Sequence, residues 1–193
     1  MDESPPSGQL SSPTITLVVW LAWAWIAMTI THELGHVFVG ILSGAELRDL
    51  ELRPWHLPHS LFVSDSYPLI TLWAGPIIGC LVPCIVAIAI SKPSVWFVAW
   101  FCVLSNGVYL LLGLWAGDPE LDSTKLLQAG ARPSHLWLAI AITLPVSYAK
   151  FRRACVSLFS GTTPAMTKQQ SQVSGIALLV TITFQAVTAS LIR

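Results

Sequence analysis

Residues 31–40 read THELGHVFVG, and within them His32, Glu33 and His36 form the pattern His-Glu-x-x-His. On an α-helix, residues four apart stand about 40° apart on the same face, one turn above the other. Two imidazoles so placed can grip one zinc ion from the same side. Glu33 falls one step round the helix, beside such an ion rather than on it. From there its carboxylate can take a proton from an attacking water and hand it to a leaving amine. The pattern therefore reads as metal-assisted hydrolysis, with the metal lowering the pKa of water to about 7. A catalytic zinc also needs a third protein ligand and an open position. After Glu33 the acids are Glu46, Asp49, Glu51, Asp65, Asp118, Glu120 and Asp122, and the other histidines are His56, His59 and His135. The stretch GLWAGDPELDSTKLLQAG places Asp118 and Asp122 at the mouth of an apolar run, and both stand as candidates.

The elements that must position these groups are membrane helices. Only 10% of the 193 residues are charged and 54% are hydrophobic, against roughly 25% charged in soluble domains. A bilayer core takes about 20 apolar residues per helix. Runs of that kind cover residues 14–43, 67–90, 95–115 and 173–192, with a shorter one at 133–148. The site thus lies inside the first run, and ionisable groups within a membrane helix usually mark function. From Thr14 to His32 the helix rises about 27 Å, so the site lies below the surface and water must reach it through a cavity. Trp20, Trp73, Trp96, Trp115 and Trp137 fall towards run ends, where interfacial belts place tryptophan. Gly35, Gly40 and Gly44 are spaced for close helix packing. Pro76 removes a helix hydrogen bond from the second run, and Asn106 in the third needs a partner, either substrate backbone or another helix.

Between the first two runs, Leu50 and Leu52 alternate with Glu51 and Arg53, and Pro54 and Pro58 punctuate the stretch. Alternation is a strand signal, so residues 45–66 are expected to form a short β-hairpin at the membrane surface. Residues 1–13, acidic and rich in Pro and Ser, read as a disordered tail, and residues 14–193 as a single membrane-embedded domain. With five spans, Lys92, Lys150, Arg152, Arg153 and Lys168 lie on one side and Arg48, Arg53, Lys125, Arg132 and Arg193 on the other. With the basic residues so balanced, the positive-inside rule selects neither orientation. Cys80, Cys84, Cys102 and Cys155 form no CxxC pair and read as buried small side chains. Zero net charge without a basic segment excludes nucleic acid as a partner.

Taken together, THELGHVFVGILSGAEL resembles the zinc-binding helix of the site-2 protease family of intramembrane metallopeptidases. In that family an aspartate from a Leu-Asp-Gly motif at a later membrane helix completes the histidine pair. ELDSTKLL is similar to that motif, with Leu121 and Asp122 matching and Ser123 standing where Gly is usual. Residues 73–79, WAGPIIG, resemble the Ala-Gly-Pro stretch that opens the family's second core helix. The resemblance covers about residues 20–130 and implies zinc held by His32, His36 and Asp122, with Glu33 as catalytic base.

The expectation is an all-α polytopic membrane protein of about five transmembrane helices with a short β-hairpin between the first two. Its expected activity is that of a zinc-dependent intramembrane endopeptidase cutting membrane-protein substrates in the lipid bilayer. Two alternatives are a catalytically silent relative that binds membrane helices and a metal- or proton-handling transporter. Charges clustered at one site rather than along several spans disfavour the transporter. Oligomeric state is not encoded legibly.

Overall fold

The computed structural model describes residues 10–191. Among the described residues, six helices and two strands follow in the order α1 (Pro13–Leu42), β1 (Glu46–Glu51), β2 (His59–Ser64), α2 (Pro68–Ile90), α3 (Pro93–Ala116), α4 (Asp122–Gln128), α5 (Pro133–Phe159) and α6 (Lys168–Leu191). The tail expectation falls mostly on residues 1–9, outside the described residues. Inside them, Leu10 forms an antiparallel bridge with Thr167, and the Ser12 hydroxyl caps α1 by accepting the Ile15 N–H at 3.2 Å. Pro13, Pro68, Pro93 and Pro133 each open a helix, where a missing N–H costs nothing and the fixed φ favours the first turn.

Among the described residues, α1, α2, α3 and the Lys168–Val187 part of α6 are long and apolar enough to cross a membrane. Their outer faces carry exposed apolar side chains such as Leu81, Ile85 and Ile88 of α2. Water would disfavour such a surface and lipid solvates it. The protein is an integral, multi-pass membrane protein. The short run at 133–148 is the start of α5, which continues to Phe159 through Lys150, Arg152 and Arg153. Sequence hydropathy ends that element too early. Its charged residues are exposed, whereas Phe151 and Leu158 on the other face pack against Trp20, Ala24 and Phe97. The same cluster corrects the reading of Trp20, which is a core residue with its ring centroid 5.3 Å from that of Phe97.

Connections place the end of α1, the hairpin, the start of α2, the end of α3, α4 and the start of α5 at one end of the bundle. A second apolar cluster of Leu110, Leu126, Leu136 and Ile140 ties α3, α4 and α5 together there. The strands β1 and β2 pair antiparallel with Leu50 opposite Ser60 and Glu51 opposite His59. Buried Glu51 is ion-paired with Arg53. The Arg53 hydrogen bonds hold its carboxyl down to about 2, so Glu51 stays ionised at neutral pH at the loop end of the hairpin. Gly35 and Gly40 do lie at close contacts, against α2 and against Phe62 respectively. Gly44 does not: it takes φ +83° with open space around it, a turn conformation that favours glycine, and reverses the chain into β1.

Candidate metal centre

The one-turn spacing of His32 and His36 on α1 points both rings into the bundle, where each is buried. Their Nε2 atoms lie 3.1 Å apart. Asp122, the first residue of α4, brings its Oδ2 to 2.8 Å from His32 Nε2 and 3.3 Å from His36 Nε2. Asp118 is not at this centre. It is exposed, and its Oδ1 accepts the Glu120 N–H at 2.9 Å in a turn. Ser123, in the position where the family usually has glycine, is fully buried against Gly113. A side chain at residue 113 would overlap its hydroxyl, so the missing glycine on one helix is offset by a glycine on its neighbour.

The donor set fits a small divalent cation. The His36 Nδ1 lies 2.8 Å from the Thr71 carbonyl oxygen. A carbonyl only accepts, so that nitrogen carries a hydrogen, and Nε2 is the ring nitrogen turned inward towards the donor cluster. The other ring's Nδ1 lies 2.6 Å from Asn106 Oδ1. With the hydrogen of each ring on its Nδ1 side, two imidazole nitrogens and a carboxylate oxygen converge, an arrangement that a cation among them would stabilise. The three donor atoms lie within 4.8 Å of one another. Zinc–ligand bonds near 2.0 Å make the edge of a tetrahedron about 3.3 Å, close to the observed spacings.

Glu33 is buried beside this group and is not one of the three converging donors. The Ser60 hydroxyl, from β2, donates to its Oε2 at 3.0 Å. Ser60 and the Thr71 carbonyl carried no sequence signal, since one is an ordinary strand serine and the other a backbone atom. Two cavities reach the centre. One is lined by Met28, Leu57, Tyr109 and Leu121, the other by His59, Asp65, Thr71 and Lys125. Both share Glu33, Pro58, Glu120 and Asp122, so Pro58 of the hairpin loop lines each of them. His59 pairs with Asp49 at 3.1 Å, and His56 and His135 are exposed.

The backbone of α2 comes against this centre at Gly75. A methyl group there would overlap the His36 ring. Gly75→Ala is therefore expected to displace His36 and weaken zinc binding at least tenfold, with thermal unfolding lowered by the same overlap. Zinc titration alongside a melting curve checks it, and unchanged affinity would place the ring elsewhere.

The sequence matches the Peptidase M50B-like family over residues 13–117. That span holds His32, Glu33, His36 and Gly75 and stops short of Asp122. No curated protein and no solved structure matches. With more than half of its residues matched, and with the motif of α1 inside the match, the chain belongs to the Peptidase M50B-like family, a branch of the site-2 proteases.

Proposed function

We propose that this protein is a zinc-dependent intramembrane endopeptidase, acting on peptide bonds in or near transmembrane segments of other membrane proteins. The observation that carries the reading is the convergence of His32 Nε2, His36 Nε2 and Asp122 Oδ2 beside a buried glutamate that is not one of them. His32, His36 and Asp122 would hold the metal. Zinc bound there would supply Lewis acidity, polarising a peptide carbonyl and acidifying water. Glu33 accepts the proton of the attacking water and returns it to the leaving amine. Ser60 fixes the direction of the Glu33 carboxylate, and burial keeps bulk water from competing for it. Under this proposal residues 14–193 act as one domain.

The substrate must be extended where it is cut, because a helix hides its carbonyls in hydrogen bonds. The two cavities, which share Glu33 and Pro58, give an extended strand a path past Glu33. Among the described residues the sheet has two strands, and a substrate strand can add at an outer edge of such a sheet.

The test is a purified wild-type protein in proteoliposomes with membrane-protein substrates of this kind. Cleavage is expected to stop on chelation and to return on adding zinc. Cleavage that persists through complete metal removal would end the proposal. Zinc uptake with no cleavage of any such substrate would favour a silent relative that binds membrane helices.

A further inference from the structure

We infer that Asn106 is a positioning residue for the metal centre: its side-chain oxygen holds the hydrogen of His32 on Nδ1, leaving bare the Nε2 that faces the donor cluster. The inference rests on the metal-site reading above and not on cleavage. Asn106 lies in the middle of membrane helix α3 and is 1% exposed. A buried amide is costly unless its polar atoms are paired. Its Nδ2 donates to the Cys102 carbonyl at 2.9 Å. Because a carbonyl cannot donate, this contact fixes the orientation of the amide. Its oxygen is therefore the atom 2.6 Å from His32 Nδ1. An oxygen in that place needs a hydrogen from the ring, so Nδ1 carries it and Nε2 keeps its lone pair for a metal.

The contact matters because Asp122 competes for the same hydrogen. Its Oδ2 stands 2.8 Å from His32 Nε2. In a neutral ring, one hydrogen must choose between a carboxylate on one side and the amide oxygen on the other. Without Asn106 the carboxylate draws it to Nε2, and the metal-facing position is then blocked. His36 needs no such side chain, because the Thr71 carbonyl does the same work. Space for the amide comes from Gly79 on α2, where a Cβ would stand 2.9 Å from Asn106 Nδ2. Partners of this kind behind a metal-bound histidine typically govern 10- to 100-fold in metal affinity.

The experiment titrates purified, metal-stripped protein in detergent with Zn2+ against a chromophoric chelator, for wild type, Asn106→Leu and Asn106→Asp. Asn106→Leu is expected to bind zinc about 10- to 100-fold more weakly while melting as a folded protein. Asn106→Asp keeps an acceptor facing Nδ1 and is expected to restore most of the affinity. A Leu variant that binds as wild type does, or an Asp variant as weak as the Leu variant, would overturn the inference. So would a wild type that takes up no zinc, which removes the metal-site reading with it. Should Asn106→Leu not fold, ¹⁵N spectra of histidine-labelled, metal-free wild type at a pH where the His32 ring is neutral decide: the hydrogen on Nδ1 supports the assignment, and on Nε2 refutes it. Absent cleavage would count against the peptidase reading and leave these outcomes intact.

Discussion

Glu33→Gln is expected to retain zinc and to lower cleavage about 10²- to 10⁴-fold, the usual worth of a positioned general base. Glutamine has the same shape and keeps an oxygen that can accept from Ser60, so the local packing should survive. What it lacks is basicity. Glu33 sits beside the three converging donors without being one of them, and this is the basis for separating the two effects. Metal content of the purified variant and its rate on a membrane-protein substrate are the two measurements. A variant that cleaves at the wild-type rate would show that another group moves the proton. A variant that loses zinc would make Glu33 a ligand. Either result contradicts the roles proposed for it.

The second large effect concerns the two aspartates that the sequence leaves side by side. Asp122→Asn is expected to weaken zinc binding by more than about a hundredfold, beyond the range of an outer partner of a ligand. An amide oxygen is a poorer ligand than a carboxylate, and an amide nitrogen facing the site would repel the ion. Asp118→Asn is expected to leave zinc affinity as in wild type. Asp118 is exposed and its role is local, accepting the Glu120 N–H, which asparagine also does. Its effect on stability should lie within about 0.5 kcal/mol, as for most surface changes. Zinc titration of both variants discriminates cleanly, and the reverse order of effects would move the metal centre to another part of the chain.

Several elements are legible in the sequence because their physics is local. Long apolar runs announce helices that lipid can solvate, so α1, α2 and α3 fall within two residues of the runs at 14–43, 67–90 and 95–115. The hairpin is legible from one alternating stretch followed by prolines, although β1 ends at Glu51, inside that stretch. Where sequence and structure differ, a face is hidden in the average. The charges at Lys150, Arg152 and Arg153 mask the continuing helix of α5, since they all lie on its exposed side while Phe151 and Leu158 pack inward. Trp20 looks interfacial because it lies towards the end of an apolar run, and only Phe97 of α3 shows which way its ring points. The small helix α4, which carries Asp122, has no sequence signature, because seven residues give too short a pattern to register.

The sequence by itself determined what a single helical turn can fix: two imidazoles on one face with a carboxylate beside them, set inside an apolar segment. Only the tertiary structure decided the rest. It brought Asp122 rather than Asp118 beside the two histidines, faced His32 with Asn106 and His36 with the Thr71 carbonyl, and laid Ser60 against Glu33. The physical reason is distance along the chain. His32 meets Asp122 across 90 residues and Asn106 across 74, and contacts of that range are set by how whole helices pack rather than by any local spacing. A hydrogen on one side of an imidazole ring is likewise placed by the atoms around it, and those atoms come from other helices.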